Sequence, residues 1–313
     1  MTTYDTKVLL ALSISILFST IFGIFFPSIG ELFSPYILVI LGLLLFLNLI
    51  QLELQDLIST FKKPKLLLML SIMKVIIIPA TMYFVTNLIS PKYALSVLLL
   101  SGISTGLGAP FVSNYVGGKL SVIVGMVIVT SLVVPFILPT LVYILYDTEF
   151  SIPIFDMILL LVISLVFPLV ATGFIKKYLP KLATSINKNS LPLSIIFMAL
   201  INFAIFSKFS SYFYFESSFV IFTTVIAILL FSIFAITGYL VLYIINKDSS
   251  SLKYKISGLI AMSYVNNILV TVFAQQFFGS QVAALAAFYN IPYYFGIILL
   301  KVLFSKKVKR SRS

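Results

Sequence analysis

The 313-residue sequence contains no cysteine, no histidine and no tryptophan, and only 10% of its residues are charged. Without cysteine there is no disulfide framework, no thiolate nucleophile and no cysteine zinc site. Without histidine the commonest general base and metal ligand is missing. P-loop, HExxH and GxSxG patterns are absent too. An enzyme is therefore not expected, and neither is a bound cofactor. A soluble domain carries about 25% charged residues, so the scarcity of charge, with 61% hydrophobic residues, indicates an integral membrane protein. The nine acids are Asp5, Glu31, Glu53, Asp56, Asp147, Glu149, Asp156, Glu216 and Asp248. All fall in connections or near the ends of apolar runs, which leaves no mid-membrane carboxylate to hold a cation or carry a proton.

What is present is a series of apolar runs. A membrane span needs about 20 such residues, and ten windows qualify: 8–26, 33–52, 65–89, 93–117, 120–146, 153–175, 190–208, 217–245, 256–279 and 281–304. The first ends in Phe25-Phe26-Pro27 without a small-residue cleavage pattern and reads as a retained helix. The net charge of +12 is gathered in connections and in the tail Lys306 to Arg312. Eighteen of the bases fall on one side of the ten-span division, and only Lys92 and Lys208 on the other. Such an asymmetry orients a membrane protein, here with both termini cytoplasmic in a cell membrane, rather than marking a nucleic-acid binder. Attraction to anionic lipid is a secondary consequence. The expected fold is all-α with ten transmembrane helices in two inverted five-helix repeats, residues 1–150 and 151–313.

Two of the ten windows are interrupted. In the fourth, Gly102, Gly106, Gly108 and Pro110 precede Ser113, Asn114 and Gly117-Gly118. In the ninth, Ser257-Gly258 is followed by Ser263, Asn266 and Asn267. Paired interruptions at equivalent positions point to a transporter's midplane site, where freed carbonyls receive cations and new helix N-termini receive anions. The plainer reading of each is a packed, polar-linked helix pair without a ligand. The remaining base, Lys74, lies about nine residues inside the third window, roughly 14 Å from its start at 1.5 Å per residue. A charge there is a functional-site candidate, unless its four-carbon stem snorkels to the interface.

These features, with the run Leu52 to Lys65 leading into the third span, resemble the bile acid:sodium symporter family over essentially the whole chain. The resemblance implies broken helices 4 and 9 that cross at the membrane centre. It also implies a panel domain of helices 1, 2, 6 and 7 and a core domain of helices 3–5 and 8–10. Two sodium ions would lie behind the crossover and an organic anion in the cleft between domains. Ser113 and Asn114 match one sodium site, and Asn266 matches the asparagine of the family's Glu-x-Gly-x-Gln-Asn segment. The chain departs from that pattern. Ala261 stands for the glutamate, Val265 for the glutamine, and Lys74 for a third-helix glutamine followed by proline, here Pro79. Thr130 and Ser131 are the nearest substitutes for hydroxyl ligands on helix five. These departures put sodium coupling in question, with at most Ser113 and Asn114 left as ligands, and suggest that Lys74 replaces the ion.

The expected function is thus secondary-active transport of a small organic anion by alternating access. Ser113, Asn114, Ser263, Asn266, Asn267 and Thr130 would line the substrate or crossover region, and Lys74 would supply attraction or coupling. The alternatives are a non-transporting sensor or scaffold with decayed ion sites, and a uniporter or proton-coupled carrier. The only partners expected are the substrate and membrane lipid; oligomeric state is not readable.

Overall fold

The computed structural model describes residues 3–51, 64–106, 108–146, 153–245 and 252–310. Most of the run Leu52 to Lys65 and much of the connection Asn246 to Lys255 lie outside these residues. The elements are α1 (Thr3–Phe25), α2 (Pro27–Ile50), α3 (Pro64–Ile89), α4 (Pro91–Gly102), α5 (Ala109–Val116), α6 (Leu120–Leu145) and α7 (Ile154–Tyr178). They continue with α8 (Pro180–Lys208), α9 (Ser210–Phe215), α10 (Ser217–Ile245), α11 (Leu252–Ser263), α12 (Asn267–Phe278), α13 (Ser280–Phe288) and α14 (Asn290–Arg310). The protein is a multi-pass helical bundle.

Seven helices among the described residues are long and apolar enough to cross a membrane, not ten. They are α2, α3, α6, α7, α8, α10 and the joined pair α13–α14 through Phe304. The expectation of ten counted apolar composition, which cannot see backbone breaks. The 93–117 window is divided into helices of 12 and 8 residues, and the 256–279 window into two of 12. The first window contributes the shorter apolar stretch Ile14–Phe25. Nor is a repeat of two inverted five-helix units evident. Single π-helical turns interrupt α3 at Met73–Ile77 and α7 at Val162–Val166, positions that a five-helix inversion does not relate. Each is followed by a proline, Pro79 or Pro168. Proline lacks the amide that would bond the carbonyl four residues earlier, and its ring crowds that carbonyl, so the preceding turn widens.

Helices α1, α2, α7 and α8 pack on one another, and α3 to α6 with α10 to α14 form the larger remainder. Lipid-exposed faces are aliphatic and aromatic: α10 presents Ile221, Val225, Leu229, Ile236 and Leu240 outward. The opposite face of α10 meets α11 through Gly238 and Gly258. A Cβ at either would collide with the other's carbonyl. Gly258 is therefore a close-approach residue inside α11, not part of the break. Gly238→Ala is expected to lower stability by about 1–3 kcal/mol, read as a fall in thermal midpoint in detergent.

Candidate functional site

The two unwound segments, 103–106 with Gly108 after α4 and 264–266 after α11, meet as a short antiparallel pair centred on Thr105 and Val265. Gly106 N donates to Tyr264 O at 2.7 Å, and Asn266 N donates to Ser104 O at 3.0 Å. Gly106 permits this approach, since a Cβ there would lie 2.6 Å from Val265 O. Pro110 does not cause the unwinding. It sits in the first turn of α5, where a missing amide hydrogen leaves nothing unpaired.

A helix that stops inside apolar surroundings leaves its last carbonyls without partners. At the end of α11 each finds one. Ala261 O accepts from Thr105 Oγ1 (2.9 Å), Met262 O from Lys74 Nζ (3.3 Å), Ser263 O from Tyr289 OH (2.7 Å) and Tyr264 O from Gly106 N. Lys74 Nζ also donates to Ser101 O of α4 at 3.1 Å. Its side chain is 1% exposed, with Nζ 5.5 Å from the centre of the Phe234 ring. Lys74 does not snorkel; it crosses to the C-terminal ends of both half-helices. Two negative helix ends and an aromatic face form a setting suited to a cation. The π-helical turn of α3 carries Lys74 itself.

Lys74 and Ala261 stand at this locus, and neither brings a carboxylate. Ala261 is fully buried and offers only a carbonyl already bonded to Thr105, while Nζ of Lys74 occupies the neighbouring carbonyl oxygens. Among the described residues no group of three or more His, Cys, Asp or Glu side chains could hold a metal. Thr130, expected near a cation, uses its hydroxyl to donate to Met126 O and to accept from Thr105 N at 3.0 Å. It pins the first break.

On the other side of the crossover lies a cavity of about 300 Å³. Its floor includes Gly106, Gly108, Asn114, Val265, Asn266 and Asn267, and its walls include Asn48 and Gln51 of α2, Ser194 of α8 and Tyr293 of α14. The N-termini of α5 and α12 both begin here. The Oδ1 of Asn266 accepts from Leu269 N and caps α12, while its Nδ2 is buried without a partner. The Ser194 hydroxyl is likewise buried and unpartnered. Among the described residues no charged side chain lines the cavity. The unpartnered Asn266 Nδ2 and Ser194 Oγ, in a cavity where two helix N-termini begin, can donate to an anionic oxygen.

The expected site residues divide. Asn114, Asn266 and Asn267 line the cavity, and Lys74 and Thr130 lie behind the crossover. Ser113 is fully buried with an unpartnered hydroxyl and does not line the cavity, since consecutive helical residues face different ways. The Ser263 hydroxyl is bonded to Leu259 O within its own helix. Sequence reasoning missed a chain of buried amides. Asn267 Nδ2 donates to Asn290 Oδ1 (2.6 Å), Asn290 Nδ2 to Asn202 Oδ1 (3.3 Å), and Asn202 Nδ2 to Ser19 Oγ and Thr20 Oγ1 of α1. Asn48, Asn202 and Asn290 could have been noticed as lone amides in apolar runs, which need partners.

No curated protein matches the chain. Residues 38–216, more than half of its length, match the family described as Sodium Bile acid symporter family. That stretch includes Lys74, the first break and the α2 and α8 walls of the cavity. The chain belongs to the Sodium Bile acid symporter family.

Proposed function

We propose that the protein is a secondary-active transporter of a small organic anion. Membership of the family supports a multi-pass membrane transporter. The observation that carries it is the cavity where two half-helix N-termini meet buried, unpartnered donors at Asn266 Nδ2 and Ser194 Oγ. Its volume suits a small carboxylate. Helices α1, α2, α7 and α8 act as a panel and the remaining helices as a core, and rocking between them gives alternating access. The excess of bases near the Gln51 end of α2 orients that end and the cavity beside it toward the cytoplasm. Lys74 serves as a built-in cation that holds the two half-helices together, so transport needs no sodium.

Uptake or counterflow of labelled small carboxylates in proteoliposomes tests this reading. Saturable exchange is expected, unchanged when potassium replaces sodium, and weakened at least about tenfold by Asn266→Leu, which removes a donor worth about 1.5–3 kcal/mol to a charged partner. Binding without exchange would favour a sensor, and strict sodium dependence would sink the role given to Lys74.

A further inference from the structure

A second polar cavity, about 370 Å³, lies at the opposite end of the same three helices. Its lining includes Ser34 of α2, Lys208 of α8, and Thr271, Val272 and Gln275 of α12. The first cavity uses Leu41 to Gln51 of α2, Leu191 to Met198 of α8 and the start of α12. At 1.5 Å per residue, Ser34 and Asn48 are about 21 Å apart along α2. Between the two levels sits Asn202, bonded to Asn290 and through it to Asn267. The two cavities therefore lie at different levels of α2, α8 and α12, with the amide bridge at the level between them on α8.

The second cavity has its own unmet bonding needs. The hydroxyl of Ser34 and Oε1 of Gln275 are buried without partners, while Gln275 Nε2 already donates to Ser280 Oγ at 3.1 Å. Lys208 brings a positive charge, and no carboxylate lines the cavity among the described residues. The exposed ammonium of Lys208 offers donors only and can receive an anionic acceptor. Oε1 of Gln275 accepts only, so it calls for a donor. A cationic donor would have no counter-charge here, so the donor is neutral, and a hydroxyl is the simplest such group. We propose that this cavity is a second binding site on the translocation path, taking a small carboxylate that also carries a hydroxyl group. The inference rests on the transport reading and assigns the far half of its path.

The chain has no cysteine, so Val272→Cys and Gln51→Cys each place a single thiol, one per cavity. The measurement is the rate of maleimide labelling of detergent-purified protein with lactate, propionate or methyl lactate. Lactate at about twice its Kd is expected to slow labelling of Val272→Cys about threefold, by simple occupancy. Propionate, lacking the hydroxyl, should protect less, and methyl lactate, lacking the charge, not at all. Adding Lys208→Gln should abolish protection at Val272→Cys and leave any protection at Gln51→Cys intact. Gln276→Cys, in the same cavity, repeats the measurement if Val272→Cys does not elute monodisperse. Absence of lactate protection at the second cavity overturns the inference. Protection confined to Gln51→Cys does so while leaving the transport reading standing. Equal protection by methyl lactate overturns the anion requirement.

Discussion

Replacing Lys74 by alanine is expected to destabilise the protein by about 3–5 kcal/mol. Two causes combine. The four-carbon stem is fully buried, so its removal leaves a cavity. The carbonyls of Ser101 and Met262 also lose their donor at the point where two half-helices end. Neither can turn to water. Lys74→Met separates the causes, because it restores most of the volume but none of the donors; it should recover roughly half the loss. The check is thermal unfolding in detergent, run in sodium and in potassium. The unsubstituted protein should show the same midpoint in both salts. A sodium-dependent rise would mean that an ion, not the amine, completes the site.

Gly106→Ala is expected to lower stability by about 2–4 kcal/mol and to weaken anion binding in the cavity. The new Cβ would stand 2.6 Å from Val265 O and 2.9 Å from Val265 C. Both are backbone atoms, so a rotamer change cannot relieve the contact. The crossover must open, which strains the bonds Gly106 N–Tyr264 O and Asn266 N–Ser104 O together. Asn266 then shifts, and its free Nδ2 with it. Gly173→Ala supplies the control. Nothing lies within 4 Å of a Cβ there, and α7 should gain a few tenths of a kcal/mol to about 1 kcal/mol. The comparison is read from thermal midpoints and from the stabilisation each variant gains from a carboxylate ligand.

Lys74 was conspicuous from sequence because a lone base in an apolar run has no cheap place to go. Its partners were not, since they are carbonyls 27 and 188 positions away, and every residue has a carbonyl. The first break was marked by Gly106 and Gly108. The second, at Tyr264 to Asn266, contains neither glycine nor proline, and Gly258 drew the expected interruption too early. Span counting failed at both breaks because hydropathy averages over a window and does not register lost helical bonds. The asparagine chain escaped notice for a similar reason. Asn202 and Asn290 are 88 positions apart, and only the packing of α8 against the start of α14 joins them.

Composition alone made this a membrane protein, because a chain so poor in charge cannot solvate a globular surface. The sequence also marked the first break and showed a lone base within an apolar run that holds no acid. Only the tertiary structure decided that seven helices are long and apolar enough to span, and that the amine closes the ends of two half-helices at once. It alone brought the unpartnered amide of Asn266 and hydroxyl of Ser194 to one cavity. The physical reason is common to all three: backbone groups freed inside a membrane must find partners, and partner choice is a matter of proximity in space, which local sequence pattern does not encode.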